Sequence, residues 1–64
     1  MANRLSLFRR GDIVIFHGFD GKDYTAHVER GVKRGAVKIL YFPRADREPV
    51  ITFVDDPSRI VGGQ

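Results

Sequence analysis

Alternation of apolar and polar side chains constrains this chain more than any other feature. It is clearest from Asp23 to Arg30, where Tyr24, Ala26 and Val28 alternate with polar residues. A period of two places successive side chains on opposite faces of a strand, so this segment predicts a β-strand with one apolar face. No long segment shows the period of 3.6 residues that is typical of an amphipathic helix.

The same pattern, bounded by turn-forming residues, predicts four further short strands. We expect strands near residues 12–17, 23–30, 36–42, 49–54 and 60–61, with turns at Gly18–Lys22 and Gly31–Gly35 and a one-turn 3₁₀ helix at Asp55–Arg59. Short strands at this spacing are typical of small sandwiches and barrels, and closure would hide the sheet edges. The sequence therefore predicts an N-terminal arm (1–10), a five-stranded all-β barrel (11–61) and a flexible tail (62–64).

Size and cysteine content narrow the class of protein. A chain of 64 residues forms one domain, and a domain of about 60 residues buries only about 60% of the surface that its unfolded chain exposes, which leaves no room for a deep cleft. There is no cysteine, and the longest apolar run, Ile13–Phe16, is too short to span a bilayer. The N-terminus lacks the apolar stretch of a signal peptide. We therefore expect a cytoplasmic protein without a membrane partner.

Several segments resemble a known family. Gly11-Asp12-Ile13-Val14, followed by Asp20 to Val28, resembles the opening of Tudor-like domains, and Val37–Tyr41 resembles their third strand. Asp56–Val61 is similar to the closing 3₁₀ turn and last strand of SH3-like barrels, and Arg10–Gly21 resembles, less closely, the start of a KOW module. The resemblance covers about residues 10–61. It implies a small five-stranded SH3-like barrel with a short 3₁₀ turn before the last strand.

The resemblance also implies an aromatic groove. Tudor domains hold methylated side chains in an aromatic cage through cation–π contacts. Carried over by position, the cage residues here are Phe19, Tyr24 and Tyr41, and Phe42 extends the groove. Arg44 follows closely and would repel a cationic ligand, so we carry the resemblance to the fold rather than to the ligand.

The basic residues suggest an anionic partner. Lysine and arginine number 11 against 8 acidic residues, which gives a formal net charge of +3, and eight of the cations are arginine. Six lie at predicted loops or strand ends: Arg9, Arg10, Lys33, Arg34, Arg44 and Arg47. Cations that contact phosphates, with Phe19 and Tyr24 as stacking faces, would bind nucleic acid. The alternative is that they are solvated loop charges that only keep the protein soluble.

A second hypothesis is a protein-interaction or assembly module. Ile13, Ile15 and Leu40 are expected on the outer face of the sheet, and Val50 and Thr52 are assigned to the same face. Such a patch could bind a protein partner or a second copy, as in a larger complex or a viral particle. It could equally be covered by the N-terminal arm.

Catalysis is not expected. His17 and His27 are the only histidines, and neither has the spaced ligands of a metal site. No Ser/His/Asp set, phosphate-binding glycine loop or catalytic carboxylate pair is present in the sequence. We therefore predict a binding module that is not an enzyme and uses no metal or cofactor.

Overall fold

The computed structural model describes the backbone of residues 4–62 and the side chains of residues 5–62. Five strands form in this part of the chain: β1 (Ile13–His17), β2 (Asp23–Lys33), β3 (Ala36–Tyr41), β4 (Val50–Val54) and β5 (Ile60–Gly62). Two 3₁₀ helices, η1 (Arg4–Leu7) and η2 (Pro57–Arg59), complete it. The all-β prediction and the 3₁₀ turn before the last strand are confirmed. Residues 1–3 of the predicted arm and 63–64 of the predicted tail lie outside the described residues.

The five strands form one antiparallel sheet in the order β4-β3-β2-β1-β5. The strands β4 and β5 lie at opposite edges and are not hydrogen-bonded to each other, so the sheet is not closed, and barrel closure stays a prediction. Val54 of β4 and Ile60 of β5 nevertheless belong to the same buried cluster. The core therefore includes a residue from each edge strand. No helix in the described part of the chain has the length and apolarity needed to cross a bilayer.

The core follows the predicted alternation. Two alternate residues in each of the three central strands are buried: Val14, Phe16, Ala26, Val28, Val37 and Ile39. The arm adds Leu5, which is fully buried, and Phe8, which packs against the cluster, whereas Leu7 is 73% exposed. The first 3₁₀ helix is therefore part of the fold, since it closes the core beside β2.

The predicted turn at Gly31–Gly35 is wrong in its extent. Strand pairing continues as far as Lys33 opposite Ala36, and only Arg34 and Gly35 form the turn. The register of β2 shifts between Val28 and Arg30 and again before Lys33. A bulge inserts an extra residue into one strand and bends it. The bulges in β2 thus allow its pairing with β3 to continue as far as Lys33.

Arg34 adopts an unfavourable backbone conformation at this turn. Its φ is 54° and that of Gly35 is 81°. Positive φ at both central residues is the signature of a type I′ turn, which favours Asn-Gly or Gly-Gly. A left-handed conformation costs an ordinary residue about 1–2 kcal/mol.

We expect Arg34→Gly to raise the free energy of unfolding by up to about 1 kcal/mol. The relief of strain is offset in part by the roughly 0.5–1 kcal/mol that a flexible glycine costs. Urea denaturation measures the change. Lys33→Gly, one residue earlier and within β2, is the matched control and should lower the free energy of unfolding. If both variants are less stable than the parent, the backbone of Arg34 is not strained.

The parity of β4 differs from the prediction. Leu40 pairs with Ile51 and Lys38 pairs with Phe53, so Ile51 and Phe53 share the outer face with Leu40. Val50 and Thr52, for which the sequence predicts the outer face, pair with Tyr41 and Ile39 on the inner side. The sequence Val-Ile-Thr-Phe-Val suits a strand at every position, so alternation alone does not decide which residues point inward.

Candidate nucleic-acid interface

The β2–β3 hairpin gathers cations at one end of the sheet. Lys33 and Arg34 lie at its tip and are exposed. Arg9 and Arg10 lie beside the second half of β2, because the amide of Gly11 donates to the Val28 carbonyl oxygen at 2.9 Å. The carbonyl oxygen of Phe8 lies 3.2 Å from where a Cβ on Gly31 would stand. Four of the six predicted phosphate-binding residues therefore lie along the part of the β2–β3 hairpin that runs from Val28 to its tip.

Two more cations, Arg30 and Lys38, join this group. They are opposite each other on β2 and β3. Sequence reasoning missed them because it looked for cations in loops, and both lie inside strands. Lys38 has the outward parity of its strand, whereas Arg30 continues the inward parity of Ala26 and Val28 and reaches the outer face only through the bulge in β2. We call the group of six the basic end; it comprises Arg9, Arg10, Arg30, Lys33, Arg34 and Lys38.

The charge of the basic end is not neutralised by ion pairs. Among the side chains of residues 5–62, the one ion pair joins His17 Nδ1 and Asp23 Oδ1, at 2.6 Å. The nearby carboxylate of Asp12 accepts the backbone amide of Arg9 at 2.9 Å rather than its guanidinium. Exposed cations without carboxylate partners remain available to bind an anion.

Arg44 and Arg47 lie elsewhere. They belong to the loop after β3, whereas Lys33 and Arg34 come before the start of β3. Five residue steps of about 3.3 Å separate the two ends of that strand, a distance of about 17 Å. The structure therefore divides the six predicted residues into a group of four and a separate pair.

The predicted aromatic groove is largely assembled at the end of the sheet opposite the basic end. The ring of Tyr24 lies 4.9 Å from that of Tyr41, which lies 5.1 Å from Phe16. Phe16 also meets Phe19 edge-on at 6.0 Å. We call these four rings the aromatic cluster. Phe42 is 51% exposed and belongs to none of the ring contacts among the described residues.

Arg59 occupies one face of Phe19. Its guanidinium carbon lies 4.3 Å from the ring centroid, and its Nη1 donates to the carbonyl oxygens of His17 at 3.0 Å and Gly18 at 3.3 Å. The chain thus supplies its own cation to this ring. These contacts attach the β1–β2 loop to η2. The aromatic cluster therefore has a structural role here, because Arg59 already fills the position that a cationic ligand would take on Phe19.

Hydrogen bonds fix the β1–β2 loop beside the aromatic cluster. The Tyr24 hydroxyl donates to Asp20 Oδ2 at 2.5 Å, and the Lys22 amide donates to Asp20 Oδ1 at 3.0 Å. These two hydrogen bonds lower the pKa of the Asp20 carboxyl below its ordinary 3.8, and the bond from Tyr24 has the larger effect. The bond to Asp20, with some desolvation, raises the pKa of Tyr24 above its ordinary 10.0.

We expect Tyr24→Phe to raise the pKa of Asp20 towards 3.8, since the stronger of its two hydrogen bonds is lost. A carboxyl whose pKa is lowered in the fold stabilises the protein above its unfolded pKa, and that contribution is lost as the pH falls through the folded pKa. The variant should therefore lose less stability on acidification. NMR titration of the Asp20 carboxyl carbon measures the shift. Tyr41→Phe is the control and should leave the pKa of Asp20 in place.

The outer face of the sheet carries a row of two cations and an aromatic ring. Arg30, Lys38 and Phe53 lie opposite one another on β2, β3 and β4. Phe53 is 58% exposed, and the Arg30 guanidinium carbon lies 5.9 Å from its ring centroid. Sequence reasoning did not single out Phe53.

The predicted interface residues lie in the neighbouring rows. Ile13, His27, Leu40 and Ile51 face one another across four strands, and Ile15 pairs with Val61 of β5. Ile13 is 43% exposed, whereas Ile15 and Leu40 are half-buried. An apolar groove of about 880 Å³, lined by Leu7, Ile13, Ile60 and Val61 among others, separates the N-terminal arm from β5. The three predicted residues therefore lie on one continuous outer face.

No three histidine, aspartate or glutamate side chains of residues 5–62 lie close enough together to hold a metal ion. Comparison of the chain with protein-family models, with curated proteins and with solved structures finds no match.

Proposed function

We propose that this chain is a non-catalytic nucleic-acid-binding module whose basic end contacts phosphates. The observation that carries the proposal is the meeting of six exposed or half-exposed cations around the β2–β3 hairpin, none paired with a carboxylate among the described side chains. Phosphate contacts by lysine and arginine supply most of the affinity in sequence-independent nucleic-acid binding. The separate pair, Arg44 and Arg47, is not part of the proposed contact surface.

The strained backbone of Arg34 supports this proposal. A residue with φ of 54° at the tip of a hairpin is better served by glycine or asparagine. Strain that persists at an exposed, charged tip is typical of functional positions, where the side chain matters more than the conformational cost. Arg34 is exposed at the tip of the hairpin, within the basic end.

We extend the proposal to the fold and the setting of the protein. The sheet order β4-β3-β2-β1-β5, the long bulged β2 and the 3₁₀ helix η2 before β5 support assignment to the SH3-like, Tudor-like barrels. The location proposed is intracellular, where a nucleic-acid partner is available.

Titration with labelled DNA and RNA oligomers tests the proposed function. Fluorescence anisotropy at about 50 mM and about 200 mM salt should show binding that weakens steeply as salt rises, because bound phosphates release counterions. Absence of binding to every oligomer at the lower salt concentration would refute the proposal.

One observation favours the alternative of a protein-interaction or assembly module. The edge strand β4 carries no charged residue, and Val50, Ile51 and Phe53 are all exposed. Uncharged edges of this kind pair readily with another strand. Sedimentation separates the two hypotheses, since a stable oligomer without affinity for nucleic acid would favour assembly.

A further inference from the structure

The exposed ring of Phe53 indicates which form of nucleic acid the basic end would bind. Phe53 lies on the outer face of β4 with 58% of its surface exposed. It pairs directly with Lys38, and Arg30 lies one strand further along the same row. Neighbouring strands are about 4.8 Å apart, so both cations lie within side-chain reach of a group that rests on the ring.

The next row of the outer face also lacks carboxylates and is largely apolar. His27, Leu40 and Ile51 lie beside the Phe53 row and carry no carboxylate. Two acids lie close to these rows, Glu29 at the bulge in β2 and Asp55 directly after the end of β4. Arg30 lies over part of the Phe53 ring at 5.9 Å, but the ring stays 58% exposed and neither Arg30 nor Lys38 has a carboxylate partner among the described side chains. A surface that combines apolar groups, an exposed aromatic ring and such cations complements a strand whose bases are unstacked and whose phosphates are charged.

Duplex nucleic acid does not use such a surface fully. Its bases are stacked inside the helix, so only phosphates and groove edges would reach the protein, and the Phe53 ring would have no partner. A single strand can place a base on the ring at little cost.

We infer that the ligand of this site is single-stranded nucleic acid, with one base stacked on Phe53 and the neighbouring phosphates bound by Arg30 and Lys38. The inference rests on the proposed function and deepens it. It assigns the stacking role to Phe53 in place of Phe19 and Tyr24, whose rings are held in the aromatic cluster.

Two readouts test the inference, using single-stranded oligomers of about 12 nucleotides, a length within the range of known single-strand sites, and blunt duplexes of the same length made from two complementary strands. In fluorescence anisotropy, Phe53→Leu should weaken single-strand binding about 5- to 100-fold. Duplex binding should change little, and Phe53→Tyr should bind as the parent does. Phe42→Leu alters another exposed phenylalanine, 51% exposed, and should have no effect.

The second readout is direct. The chain contains no tryptophan, so Phe53→Trp places a single tryptophan, which can be excited apart from the two tyrosines, at the proposed stacking position. Its emission should be quenched by single strands and unchanged by the duplex, whereas Phe42→Trp should respond to neither.

The outcomes separate this inference from the proposed function. Equal salt-dependent binding of both forms, with Phe53→Leu unaffected and no quenching, would overturn single-strand stacking and leave phosphate binding in place. No binding of either form at low salt would overturn both. Circular dichroism of each variant establishes that it is folded, and Phe53→Trp reports on the same position if Phe53→Leu fails to fold.

Discussion

Leu5→Ala is expected to lower the free energy of unfolding by about 2–5 kcal/mol, the usual cost of a large-to-small change in a core. Leu5 is fully buried in the same cluster as Phe16 and Ile39. A typical domain is stable by only about 5–15 kcal/mol, and one this small lies near the lower end. Truncation of this one side chain in the N-terminal segment should therefore leave a substantial fraction of the molecules unfolded, as urea or thermal denaturation would show.

Leu7→Ala is the matched control for this prediction. It makes the same chemical change two residues later in η1, but Leu7 is 73% exposed. Surface substitutions of this kind usually change stability by no more than about 0.5 kcal/mol. Equal effects of the two variants would show that the first 3₁₀ helix does not close the core.

The second large effect concerns binding. The double variant Lys33→Gln/Arg34→Asn should weaken nucleic-acid binding roughly 10- to 100-fold at about 50 mM salt, with a shallower salt dependence, because two phosphate contacts are removed. Each lost contact should lower the slope of log affinity against log salt by about 1. Asparagine suits the positive φ of Arg34, so the hairpin should remain intact.

Arg44→Gln/Arg47→Gln separates local contact from overall charge. Both double variants lower the formal net charge from +3 to +1. If binding depends on the basic end, only the hairpin variant loses most of its affinity. Equal losses in the two variants would mean that net charge, and not this surface, governs binding.

Most of the fold was predictable because β2 and its neighbours alternate cleanly. Tyr24, Ala26 and Val28 have polar neighbours on both sides, so burying one face fixed the parity of that strand. The Asp-Gly turn before β2 followed from the same local rules, with Gly21 at a φ of 83°. These features depend on residues that are close together in the sequence, so they can be predicted from it directly.

Features that depend on long-range pairing were not predictable in this way. The extension of β2 to Lys33 depends on bulges opposite β3, and no local sequence pattern predicts these bulges. The inward parity of Val50 and Thr52 was decided by the partners of β4, since its own residues suit either face. Burial of Leu5 likewise depended on where η1 meets β2.

The candidate site shows the same division. Composition and charge indicated a basic surface, but the separation of Arg44 and Arg47 from the other cations follows from the topology of β3. Arg30, Lys38 and Phe53 escaped notice because their importance lies in being opposite one another on three strands. The sequence around each of these residues does not show which residues lie opposite it in the sheet.

Amide chemical-shift mapping during titration with a single-stranded oligomer tests the central claim most directly. The account predicts that the largest shifts fall on Arg30, Lys33, Arg34, Lys38 and Phe53, with the β1–β2 loop and the loop after β3 unchanged. Shifts concentrated instead around Phe19, Tyr24 and Arg44 would contradict it, because the bound strand would then lie at the opposite end of the sheet.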